Sequence, residues 1–131
     1  MTTTTNGVPQ SLRTWFVIHF VLDVIFAIPL MAAPVWFLGL LGWQVVDPIA
    51  ARLVAAALFG IGIESFLGRN AGPQTYRGML NLKIIWSLGA IIGILVSMLQ
   101  GAHGQPLAGW GLLAIFAVFN VLWVAWRLKL R

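Results

Sequence analysis

Long apolar runs separated by short polar breaks set the pattern of this chain. The first run lies between Arg13 and Pro34, and a second opens after Asp47-Pro48 and ends at Gly68. The segment Arg69-Asn70-Ala71-Gly72-Pro73-Gln74 breaks the chain, a third run continues to Gln100, and a fourth begins at Gly109. Each approaches the roughly 20 apolar residues that a helix needs to cross a bilayer, which predicts spans over about 14–33, 49–68, 76–100 and 109–127. Strands are excluded as spanning elements, because an open sheet edge cannot face lipid and so few strands cannot close a barrel. The expected fold is an all-α integral membrane protein, with four transmembrane helices packed as a small bundle. A single membrane domain over 13–131 is expected after a short polar tail over 1–12.

Local signals refine this outline. Asp47-Pro48 reads as a helix restart, since an Asp cap accepts backbone N–H bonds and Pro is tolerated at the first helical position. Val35 to Trp43 is apolar, but Pro29, Pro34 and Gly42 predict a bend with an interfacial piece. The first run resembles the middle of a signal peptide. It is too long for one, and Pro34 is a poor residue after Ala32-Ala33, so it reads as a retained span.

Composition supports the membrane class. Of 131 residues, 60% are hydrophobic and 8% charged, against about 25% charged in an ordinary soluble domain. Such a chain cannot remain solvated and disordered either. The absence of cysteine excludes thiol catalysis, thiolate metal sites and disulfides. The net charge of +5 would suggest nucleic acid in a soluble protein. Here the basic residues flank apolar runs, which points to topology and lipid head groups and not to nucleic acid.

An even number of spans places both termini and the middle loop on one side. That side collects Arg13, Arg69, Arg77, Arg127, Lys129 and Arg131, leaving Arg52, beside Asp47, and His103 to the other loops. The positive-inside rule then puts both termini in the cytoplasm. Trp15, Trp123 and Trp126 fall near that face and Trp36, Trp43 and Trp110 near the other, as two aromatic belts would. This plan resembles that of many small bacterial membrane proteins, the DoxX-like group among them. The likeness is one of topology and transfers no residue roles; the setting expected is a bacterial inner membrane. The first span carries His19 and Asp23 instead of the membrane glutamate of small multidrug transporters.

Five residues are out of place in lipid: His19, Asp23, Glu64, Lys83 and Asn120. Intramembrane ionisable groups usually face a bundle interior or a wet cavity. His19 lies six residues past Arg13, Lys83 six past Arg77, Glu64 five before Arg69 and Asn120 seven before Arg127. At the helical rise, each lies about 8–10 Å inside its basic flank. One polar layer in the cytoplasmic half is therefore expected, with Asp23 a turn deeper on the His19 face. Ala56, Gly60 and Glu64 recur at four-residue intervals, and Gly89 and Gly93 offer a second close-contact seam. Lys83, Ser87 and Ala90 form a face beside that seam. These patterns predict a Glu64–Lys83 ion pair across the second hairpin and a local His19–Asp23 pair. Arg52 is expected to snorkel outward.

No metal-binding motif, phosphate loop or nucleophile–base–acid order is legible, and a single intramembrane histidine supplies one ligand, so no cofactor is assigned. Three functions compete. The favoured one is binding or transport of a small amphiphile, such as a lipid, isoprenoid or quinone-like molecule, with its head group in the polar layer; transport would require a homo-oligomer. The second is an accessory subunit packed in a larger membrane complex. The third, an enzyme using His19, Asp23 or Glu64 for acid–base work, has no recognisable catalytic arrangement behind it.

Overall fold

The structure is a computed structural model that describes residues 4–5, 7–101 and 105–130. His103 and Arg131 lie outside the described residues. A two-stranded antiparallel hairpin comes first, β1 (Thr4–Thr5) against β2 (Val8–Pro9), with Thr5 opposite Val8. The helices are α1 (Gln10–Ala32), α2 (Pro34–Leu40), α3 (Pro48–Leu67), α4 (Pro73–Leu99) and α5 (Ala108–Lys129). A single 3-10 turn, Gly68–Asn70, follows α3. Four of the helices, all but α2, are long and apolar enough to cross a membrane.

Sequence chemistry accounts for the boundaries. Asp47 caps α3 as expected, its Oδ1 accepting from the amides of Ile49 at 2.9 Å and Ala50 at 3.3 Å, with Pro48 in the first turn. Pro73 likewise opens α4. At Ala33 the backbone leaves helical geometry (φ −145°, ψ 67°), and Pro34 starts the short α2, which supplies the predicted bend. Gly42 then turns the chain at φ 107°, and a Cβ there would stand 2.8 Å from Cβ of Pro106. Only glycine meets both demands without strain.

The long helices form two close antiparallel pairs, α1 with α3 and α4 with α5. Gly62 sets the closest approach in the first pair, since a Cβ there would lie 2.9 Å from Cβ of Asp23. The pairs meet across bulky side chains at the end that carries both termini. There Val8, Leu12, Phe16, Tyr76, Leu80 and Trp123 form one core cluster. At the opposite end Ala27, Leu30, Ala51, Ala55 and Leu58 form another, covered by Phe37 and Leu38 of α2. Val8 shows that the segment before α1 contributes to the core: the hairpin folds back and buries it completely.

The small-residue seams face the other way from expectation. Ala56, Gly60 and Glu64 are exposed, and α3 instead buries Ala51, Ala55, Leu58, Gly62 and Ser65. Gly89 and Gly93 are exposed too, with open space where a Cβ would stand. Arg52 is exposed near the start of α3. Its Nε donates to the carbonyl of Met31 at 2.9 Å, satisfying the C-terminal turn of α1. A cation is favourable there because the last carbonyls of a helix lack amide partners.

Candidate functional site

Between the two apolar clusters lies a polar layer. Its groups come from all four long helices: His19 and Asp23 of α1, Ser65 of α3, Lys83 and Ser87 of α4, and Asn120 of α5. Lys83 is 2% exposed, Ser65 1%, Asp23 7% and His19 9%. Burial of this kind demands internal partners, because an unpaired polar group loses its bonds to water without replacement.

The partners are specific. Lys83 Nζ donates to Ser65 Oγ at 2.7 Å and lies 2.8 Å from His19 Nδ1. The Ser65 hydroxyl donates in turn to the Ile61 carbonyl at 2.6 Å. His19 Nδ1 is also 3.1 Å from Asp23 Oδ2, one helical turn away. Two aromatic rings flank the ammonium, Phe16 at 4.9 Å and Trp123 at 5.0 Å from Lys83 Nζ. The imidazole meets Trp123 and Phe119 edge-on, both with ring centroids 5.1 Å away. Asn120 is one step removed: its Nδ2 donates to Ser87 Oγ at 2.8 Å, and Ser87 donates to the Lys83 carbonyl at 2.7 Å.

Four of the five residues singled out in the sequence therefore belong to this layer, and the fifth does not. Glu64 is exposed on the outer face of α3, and among the described residues it forms no ion pair with Lys83. Successive helical residues are turned by about 100°, so burying Ser65 turns Glu64 away. Ser65 was missed because a hydroxyl is unremarkable in an apolar helix, whereas Ser87 was placed on one face with Lys83 but not in the polar layer. Ser65 carried one legible sign, a place one turn beyond Ile61 and two beyond Leu58 on the buried face.

A second polar constellation closes the termini end. The Arg13 guanidinium donates to the carbonyls of Arg69 and Ala71, and the Tyr76 hydroxyl donates to the same Arg69 oxygen at 2.7 Å. One backbone oxygen thus ties α1 and α4 to the turn after α3. The Arg69 guanidinium lies over the Phe66 ring at 3.9 Å and donates to the Phe66 carbonyl at 2.6 Å.

Beside this clasp is an open recess of about 520 Å³. Gln10, Arg13, Thr14, Arg69 and Asn70 form its polar end, and Val17 and Ile18 its apolar floor. Residues 10, 13, 14, 17 and 18 share one face of α1, so polarity falls along that face from the helix start inward.

Among the described residues, no three His, Cys, Asp or Glu side chains gather in a metal-binding group. The buried layer can hold a charge and exchange a proton; the recess can take an anionic group above an apolar strip. No known protein family, curated protein or solved structure matches this chain. The fold and these two sites define a small helical bundle with four helices fit to cross a membrane.

Proposed function

We propose that the protein is an integral membrane protein that binds an anionic amphiphile in the recess between α1 and the turn after α3. The observation that carries this reading is the gradient within the recess, from two arginines to Val17 and Ile18. A lipid-like molecule has the same gradient. Arginine is suited to a phosphate or carboxylate head group because its planar fork can present two N–H donors at once. Arg13 is buried and donates to two backbone carbonyls, whereas Arg69 is half-buried and donates to one, so Arg69 is the principal head-group ligand, with Asn70 and Gln10 beside it.

The basic residues Arg13, Arg69, Arg77, Arg127 and Lys129 support a cytoplasmic placement of this end, in a bacterial inner membrane. The head group then sits at the level of the lipid phosphates, and Lys83, His19 and Asp23 lock the helix pairs beneath it. Native mass spectrometry of protein extracted from its own membrane tests the proposal. An anionic lipid retained by the wild type and lost from Arg69→Gln, with the thermal midpoint unchanged, is the expected result. Equal retention by both proteins rejects the site.

A second reading, an accessory subunit or homo-oligomer, draws on the outward Ala56–Gly60–Glu64 face. A carboxylate facing lipid is costly, and small residues on the same stripe allow another helix to approach. Co-purification of a second chain at fixed stoichiometry, abolished by Gly60→Leu, would favour it.

A further inference from the structure

Two groups with opposite demands meet at one ring nitrogen. His19 Nδ1 lies 2.8 Å from Lys83 Nζ and 3.1 Å from Asp23 Oδ2. An ammonium only donates and a carboxylate only accepts, so Nδ1 must be bare to serve Lys83 and protonated to serve Asp23. In the observed geometry the ring serves Lys83. Asp23 Oδ2 is buried and has no hydrogen-bond partner among the described residues.

No other charged group supplies what Asp23 lacks. From α3, Gly62 packs against the carboxylate and Ser65 faces Lys83, while Glu64 is exposed. From α4 come Lys83 itself and Ser87, which bonds the Lys83 carbonyl. From α5 come the rings of Phe119 and Trp123, with Asn120 committed to Ser87. Arg13, further along α1, bonds the carbonyls of Arg69 and Ala71.

We infer that Lys83, His19 and Asp23 form a proton-binding site, with His19 Nδ1 as the point of uptake and Asp23 as the group that receives the charged ring. One proton from solvent adds to the Nδ1 lone pair. The Lys83 N–H···Nδ1 bond breaks, an Nδ1–H···Oδ2 bond forms, and no covalent bond between heavy atoms changes. Lys83 keeps Ser65 Oγ and the faces of Phe16 and Trp123, both of which favour a cation. Because His19 and Asp23 are neighbours on one helix face, the exchange requires only a reorientation of the ring. Uptake replaces a bond between α1 and α4 with one inside α1. Proton occupancy therefore sets how firmly the two helix pairs are joined, which goes beyond the amphiphile reading and does not depend on it.

Nitrogen-15 NMR of the imidazole tests this directly. The chain has two histidines, so His103→Gln leaves His19 as the only imidazole signal. As the pH is lowered across the full range in which the protein stays folded, Nδ1 should pass in one step from bare to protonated. Asp23→Asn should lose that step, and Lys83→Met should show Nδ1 protonated throughout. A ring signal that stays constant in folded His103→Gln protein overturns the inference. So does an Asp23→Asn protein that titrates like its parent.

Discussion

Ser65 Oγ accepts a hydrogen bond from Lys83 Nζ at 2.7 Å and donates one to the Ile61 carbonyl at 2.6 Å. A hydroxyl on α3 thereby joins an ammonium on α4 to a backbone oxygen one turn back on its own helix. Both partners are buried, so removing the hydroxyl leaves Lys83 short of an acceptor where water does not replace it. Ser65→Ala should cost about 1–3 kcal/mol, read as a lower thermal midpoint in detergent. Glu64→Gln, one residue away on the exposed face, should leave that midpoint unchanged.

Charge removal should be worse than hydroxyl removal, and it should be repairable. Lys83→Met leaves the Asp23 charge balanced by the His19 ring alone and should cost about 3–5 kcal/mol. Adding Asp23→Leu removes that charge, and the double variant should recover most of the loss. A thermal-unfolding cycle over the two singles and the double measures the coupling. Additive losses would mean that Lys83 and Asp23 do not depend on each other.

The glycines of α3 should divide by face. Gly62→Ala places a Cβ 2.9 Å from Cβ of Asp23, an overpacking worth about 1–3 kcal/mol. Gly60→Ala meets nothing within 4 Å and should be neutral or stabilise by up to about 1 kcal/mol, since alanine is the better helix former. Detergent melts of the two variants should shift in opposite directions or differ by the full overpacking cost.

Orientation is accessible to labelling because the chain has no cysteine. A cysteine at Gln74, in the first turn of α4, should react with a membrane-impermeant maleimide only after the membrane is opened. One at Gln44, before α3, should react in intact cells. The reverse pattern would overturn the proposed orientation.

How far these features are visible in the sequence follows from the kind of signal each one leaves. The Asp47-Pro48 restart, the break before Pro34, and the four long helices are written in residues with strong local preferences. Which face of α3 turns inward is written much more faintly. That helix is apolar nearly all round, so no polar stripe marks an outer side, and four-residue spacing picked out Ala56, Gly60 and Glu64 where Ala51, Ala55 and Gly62, spaced by four and seven, make the buried face. The choice rests on Gly62 fitting against Asp23 and on Ser65 meeting Lys83, contacts between residues distant in sequence. Depth was easier to read, because it depends only on counting from Arg13, Arg69, Arg77 and Arg127, and it brought His19, Lys83 and Asn120 to one layer. Val8 was hidden for the opposite reason: an isolated apolar residue in a polar segment has no period.

The clasp at the termini end uses position 69 in two independent ways. Its carbonyl receives Arg13 and Tyr76, and every amino acid carries that oxygen. Its side chain, by contrast, borders the recess. If the recess holds a head group as proposed, substitutions there would retune which one it takes, while the joint that closes the bundle stays unchanged. The chain separates what must be kept from what is free to diversify at a single residue.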